Sequence, residues 1–221
     1  MGIRNALRQL RRGSAAVRLQ KRLFKGTAAY WENRYASGGT SGAGSYGPQA
    51  EWKARIVNDW VADLDVRSVV DLGCGDGNQL SLADYPRYVG LDRSATAVRM
   101  CIDRFRADPT KSFLRYDPDT LSDPAGWLRA DLALSMEVIF HLVEDDVFAD
   151  YMTRLFDSAD RYVVICSNNT DDDELVPHER HRDFTRWVED HQPEWKLDKR
   201  IDPPAGLHLM SSFFRYRRSA A

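Results

Sequence analysis

Apolar residues along this chain alternate between two patterns, and the alternation predicts an α/β fold. Residues 50–64 place Trp52, Ile56, Trp60 and Leu64 four positions apart, the spacing of one helical face. Short apolar runs at 69–72 and 88–91 read as strands, with a helix following over 94–106. Further strands are expected at 113–116, 131–136 and 162–166, with a helix over 144–157 before the last of them. Strands alternating with helices mean a parallel sheet covered on both faces. The end of the chain differs. Segments 194–201 and 211–217 are both extended and are joined by Asp202-Pro203-Pro204-Ala205-Gly206. They predict an antiparallel hairpin on a doubly wound, mostly parallel sheet. The stretch 178–187 reads as an amphipathic helix with Phe184, Trp187 and Val188 turned to the core. No internal repeat is visible.

The first strand runs into the most informative stretch, Val69-Val70-Asp71-Leu72-Gly73-Cys74-Gly75-Asp76-Gly77-Asn78. A buried strand here ends in a tight turn whose backbone comes close to a ligand, and glycine tolerates the positive φ angles that such a turn requires. The next strand ends in Asp92, about 20 residues past the first glycine, where nucleotide folds hold ribose hydroxyls with a carboxylate. The spacing G-x-G-x-G differs from the dinucleotide G-x-G-x-x-G. Asp71 and Asp76 would repel a pyrophosphate but suit a ligand carrying an ammonium or sulfonium group. The pattern resembles motif I of the class I S-adenosylmethionine-dependent methyltransferases. That resemblance implies a seven-stranded Rossmann-like sheet with the C-terminal hairpin, S-adenosylmethionine as cofactor, and Asp92 as the ribose-binding acid. It also implies that Gly73, Gly75 and Gly77 pass under the methionine part of the cofactor. Cys74 reads as a small pocket-lining side chain rather than a nucleophile.

The 221 residues, 43% hydrophobic and 29% charged, suit one soluble domain with a sizeable core. No apolar run approaches a membrane span, and no secretory signal is expected. Three scattered cysteines without metal-ligand spacing suggest free thiols in a reducing cytoplasm. The net charge of −2 hides an asymmetry: residues 1–25 hold eight Lys or Arg and no acid, leaving 23 basic against 33 acidic residues elsewhere. Segment 1–27 thus reads as a basic amphipathic leader. It could lie on an anionic membrane surface, dock on an acidic partner, or stay solvated. The remainder, 28–221, is the expected methyltransferase domain. Within it, 28–48 carries Tyr30, Trp31, Arg34 and Tyr35 before a Gly- and Ser-rich loop, a candidate lid.

In an open α/β sheet the ligand lies beyond the carboxyl ends of the strands. Asp117, after the third strand, is placed to accept from an adenine amino group. Arg93, Ser94, Ser135, Met136, Asn78 and, from the lid, Arg34 and Tyr46 join the candidate cofactor-binding set. Glu137 and His141 stand four residues apart past the fourth strand, on one face if the segment is helical. His141 is the candidate general base, and Glu137 would either orient it or hold a metal. Glu137, Asn168 and Asn169 offer hard oxygen ligands of the kind Mg²⁺ accepts. Their placement resembles the catechol-type methyltransferases, with Asn168 where an Asp is expected. Tyr30, His178, His181 and Arg182 are candidate acceptor contacts, and Trp187 could serve as a sugar-stacking platform.

The lid residues, Gly73 to Leu80, His141-Leu142-Val143-Glu144-Asp145 and the His181-Arg182 region together resemble small bacterial glycan-cluster O-methyltransferases of the mycobacterial methylmannose-polysaccharide 1-O-methyltransferase type. This resemblance covers roughly residues 28–200 and implies a sugar or oligosaccharide acceptor, with a mannoside among the candidates. A small-molecule O- or N-methyltransferase of secondary metabolism stays open, as does a non-catalytic cofactor-binding or membrane-docking module. A nucleic-acid acceptor is not expected. Ser135-Met136-Glu137-Val138 lacks the Pro-Pro-aromatic motif of amino methyltransferases, and the chain beyond the leader is acidic. A homodimer stays open.

Overall fold

The computed structural model describes residues 24–171 and 176–219. The expected leader therefore lies almost wholly outside the described residues. Helix α1 (Thr27–Ala36) is followed by a 3₁₀ turn (Ala43–Ser45) and α2 (Gly47–Asp63). The alternating part comprises β1 (Val69–Leu72), β2 (Tyr88–Asp92), α3 (Ala95–Phe105), β3 (Lys111–Arg115), β4 (Ala130–Met136), α4 (Asp145–Asp157) and β5 (Ala159–Ser167). Helix α5 (Phe184–His191) then leads to β6 (Trp195–Ile201) and β7 (Ser212–Arg218).

The seven strands are ordered β3-β2-β1-β4-β5-β7-β6. Pairs from β3 to β5 are parallel, while β7 is antiparallel to both β5 and β6. The fold is the expected seven-stranded Rossmann-like methyltransferase sheet. Strand β1 pairs with β2 on one side and β4 on the other, so chain order reverses there and a crevice opens past its carboxyl end.

The period of two along each strand divides the core into two layers. Val70, Ala133, Val163 and Ile165 point to the layer closed by Phe148, Met152 and Leu155 of α4 and Phe184 and Val188 of α5. Val69, Leu132, Leu134 and Val164 point the other way, against Trp52, Val57 and Trp60 of α2 and Cys101 of α3.

Two segments depart from expectation. Only the end of 178–187 is helical, because the Asp183 side chain accepts from Arg186 N and starts α5 there. Phe184 and Val188 are buried as expected, and Trp187 packs edge-on against Phe148. The segment 137–141 is not a helical face. Glu137 adopts a left-handed φ of 59° and only Ile139–His141 forms a single 3₁₀ turn.

Candidate active site

Past the end of β1 the chain turns back on β2, with Gly73 N and Cys74 N both donating to Leu91 O at 2.7 and 3.0 Å. Gly73, Gly75 and Gly77 all have positive φ (94°, 59° and 74°), a conformation that a side chain strains. Each glycine also answers to a different neighbour. A Cβ on Gly73 would lie 2.5 Å from Val138 Cγ2, and one on Gly75 would overlap Ser41 Oγ of the lid segment. A Cβ on Gly77 would meet the Phe105 ring and Cys101 Sγ of α3 at 2.9 and 3.0 Å. Gly77 therefore serves helix–loop packing and does not line the cavity, unlike Gly73 and Gly75.

The cavity measures about 330 Å³ and lies between this loop, the segment after β4 and residues 27–45. One end is acidic. Asp71 lines it with Oδ2 held by Tyr88 OH at 2.9 Å, while the buried Oδ1 has no hydrogen-bond partner. Burial pushes the Asp71 carboxyl up to about 7. Asp92 also lines the cavity, accepting from Gly75 N (2.9 Å) and Ser94 N (2.8 Å), and burial raises it to about 6. Cys74 lines the wall, and contact with Cys101 and burial raise its thiol pKa. This makes it a poor nucleophile. Arg34, Arg93 and Met136 also line the cavity.

Residues 27–46 close over the loop through named bonds. Ser41 N donates to Asp76 Oδ2 at 2.8 Å and Asp76 N donates to Ser41 Oγ at 3.0 Å. Tyr46 OH also donates to Asp76 Oδ2 (2.8 Å), and Asn78 Nδ2 donates to Ser45 O (2.7 Å). Asp76 faces the cavity, whereas Tyr46 and Asn78 do not line it. Glu32 of α1 accepts from Ser94 Oγ, Thr96 Oγ1 and Thr96 N, and these bonds, the Thr96 hydroxyl foremost, lower its carboxyl to about 2. Ser94 is thus spent on Glu32 and on capping α3 through Ala97 N.

The other end is aromatic. His141 lines the cavity with Trp31 edge-on at 4.8 Å and Phe140 at 4.3 Å. Tyr30 stacks on His178 at 4.4 Å. His141 Nδ1 lies 3.0 Å from His178 O. A carbonyl oxygen can only accept, so Nδ1 carries the proton and Nε2 carries the lone pair. Burial lowers His141 to about 4, so the ring is neutral at pH 7. The expectation that Glu137 orients His141 is corrected here: the His178 carbonyl holds the imidazole. Glu137 instead meets the buried Lys53 ammonium at 2.5 Å and accepts from Ser211 Oγ at 3.1 Å.

The expected Mg²⁺ ligands are not brought together. Glu137 faces an internal cation, and Asn169 is bonded to Thr185 through both ends of its amide. Asn168 Oδ1 is buried without a partner. Among the described residues no group of three or more His, Cys, Asp or Glu could hold a metal. These residues do not fit the ion. Other candidates also lie off the cavity. Asp117 accepts from Asp119 N within its own turn, while its neighbour Tyr116 reaches the wall. Ser135 is buried and accepts from Tyr151 OH. Arg182 donates to Leu142 O and Val143 O and pairs with Asp145, and His181 packs against Phe140.

Lys53 and Phe140 were not legible as site residues, while Trp31, Tyr35 and Ser41 were legible only as part of the candidate lid. Lys53 left one trace: it lies in the row with Ala50, Val57 and Val61 that α2 buries.

Residues 69–160 match the family described as "Methyltransferase domain". No curated protein sequence matches the chain. Among solved structures, the chain is similar to the N-methyltransferase NodS from Bradyrhizobium japonicum WM9 in complex with S-adenosyl-L-homocysteine. That similarity has a TM-score of 0.65 at 13% identity, covering 89% of this chain and all of the other. The methyltransferase domain of bacterial CtHen1 gives 0.60 at 18%, covering 77% and 98%. Magnesium protoporphyrin IX methyltransferase (ChlM) from Synechocystis PCC 6803 gives 0.60 at 16%, covering 76% and 83%. Residues 69–160 thus match a methyltransferase domain, and the chain has the fold of the class I S-adenosylmethionine-dependent methyltransferases.

Proposed function

We propose that this enzyme transfers a methyl group from S-adenosylmethionine to a hydroxyl of a sugar or small glycan, with His141 as general base. The observation that carries the reading is the fixed tautomer of His141: a neutral imidazole in the cavity wall with its Nε2 lone pair free. The acidic end fits the donor. The unpartnered Asp71 Oδ1 suits an ammonium, Asp92 suits ribose hydroxyls, and Gly73 and Gly75 leave the loop without side chains. Among the solved structures similar to this chain, NodS and ChlM carry the demethylated or intact cofactor.

When bound, S-adenosylmethionine supplies an electrophilic methyl on a sulfonium. The chain's residues then have three tasks. The lid contacts Ser41–Asp76 and Tyr46–Asp76 exclude water from the loop. Tyr30, Trp31 and Phe140 offer flat apolar surfaces on which the C–H face of a sugar ring can rest. His141 accepts the hydroxyl proton at Nε2 while the His178 carbonyl stabilises the imidazolium through Nδ1–H. Mass spectrometry of products formed from a glycoside panel tests the reading. It expects one added methyl on oxygen with wild type and none above background with His141→Ala. Methylation at nitrogen only, or an equal rate with His141→Ala, would sink it.

A further inference from the structure

Lys53 is fully buried, with its ammonium against the carboxylate of Glu137, whose side chain is 15% exposed. Burying an ammonium is costly without a partner, and a buried ion pair generally holds a fold no better than apolar groups of similar volume. Stability alone therefore does not account for the pair. The backbone of Glu137 is also unusual, since it is left-handed at a non-glycine residue, and such strain gathers at functional sites. Its N–H donates to Cys166 O at 2.7 Å and its Oε1 accepts from Ser211 Oγ. The carboxylate so held lines the cavity against Gly44. The Lys53 charge reaches Asp71 as well, where it offsets part of the burial effect.

We propose that Lys53 and Ser211 are positioning residues that fix the Glu137 carboxylate as the acceptor-recognition group, where it accepts a hydrogen bond from an acceptor hydroxyl other than the one methylated. The assignment rests on the hydroxyl-acceptor reading above. It makes the acceptor polyhydroxylated: a ring with a single hydroxyl would leave the remaining lone-pair capacity of the carboxylate unmet, and sites built around a hydrogen bond reject analogues that cannot form it.

The test measures kcat and KM for methyl α-mannoside, methyl α-glucoside and their single-deoxy analogues. Wild type, Glu137→Gln, Lys53→Met, Ser211→Ala and Lys53→Met/Glu137→Gln are compared, and the affinity of each for S-adenosylhomocysteine is measured by calorimetry. Lys53→Met alone strands a buried carboxylate, so the double variant, lacking both charges, serves as the folded control. The expected wild-type result is a KM penalty of about ten-fold or more for one deoxy analogue that is still methylated elsewhere. In Glu137→Gln that penalty shrinks to about two-fold with product affinity unchanged, and in the double variant it shrinks likewise. Lys53→Met and Ser211→Ala raise the acceptor KM with kcat held within about three-fold. The proposal is overturned if the variants discriminate as wild type does, or if product affinity falls in step with acceptor KM. A wild type that binds the product but methylates neither glycoside overturns the sugar reading itself, and the Glu137 assignment with it.

Discussion

His141 and His178 are joined by a 3.0 Å hydrogen bond in which the ring Nδ1–H of the first donates to the backbone carbonyl of the second. The bond fixes which nitrogen can act as a base and ties the end of β4 to the loop before α5. Replacing His141 with Ala or Gln is expected to lower kcat by about 10²–10⁴-fold, the usual contribution of general-base catalysis. Affinity for S-adenosylhomocysteine, measured by calorimetry, stays within about two-fold of wild type because His141 stands at the aromatic end.

The cavity acids predict a pH dependence with a definite sign. Asp71 and Asp92 are raised to about 7 and about 6 by burial. The folded state therefore holds their protons more tightly than the unfolded chain, and the stability this gives is lost as pH rises from about 4, the ordinary carboxylate value, to the folded values of about 6 and about 7. The melting temperature of the ligand-free protein should fall over that window. Affinity for the cofactor should rise over it, since an ammonium and ribose hydroxyls favour the ionised acids. With His141 lowered to about 4 and so neutral, kcat at saturating donor should be flat from about pH 6 to 8. Differential scanning and steady-state kinetics across the range check both trends.

Gly44 has no room for a side chain, because a Cβ would overlap Oε2 of Glu137, whose carboxylate is held by Lys53 at Oε2 and by Ser211 at Oε1. Gly44→Ala should displace residues 41–45 and lower kcat/KM about ten-fold or more while leaving the melting temperature within a few degrees. Gly73→Ala combines a φ of 94° with a clash on Val138 and should destabilise the fold itself, by about 1–3 kcal/mol. Thermal melts and kinetics on the two variants separate the effects.

Glu32 ties α1 to the start of α3 through three accepted hydrogen bonds. Glu32→Gln removes the charge behind those bonds and should loosen segment 28–48. Trypsin cleavage after Arg34 should become several-fold faster, with bound S-adenosylhomocysteine restoring protection. Unchanged cleavage would mean that the Ser41–Asp76 and Tyr46–Asp76 bonds hold the segment by themselves.

Much of this architecture was legible because parallel strands buried on both faces read as short unbroken apolar runs, as Val69–Leu72 does. The glycine spacing and Asp92 located the crevice for the same reason: backbone conformation and a charged strand end both leave marks in sequence. What stayed hidden depends on partners distant along the chain. Arg182 and Asn169 look like ligand contacts until Leu142, Val143 and Thr185 are seen to use them. Glu137 and His141 share a helical spacing, but one left-handed residue separates their side chains. Lys53 sits on an apolar face where spacing alone marks a charge as an exception, and only Glu137, 84 residues away, explains it.

The most direct measurement is transfer of labelled methyl from S-adenosylmethionine to a panel of mannosides, glucosides and catechols, run with Mg²⁺ and with chelator. The account predicts label on a sugar oxygen, undiminished by chelator, since Glu137 meets Lys53 rather than an ion, and abolished in His141→Ala. Label on no sugar despite tight cofactor binding, or sugar label lost with chelator, would contradict it.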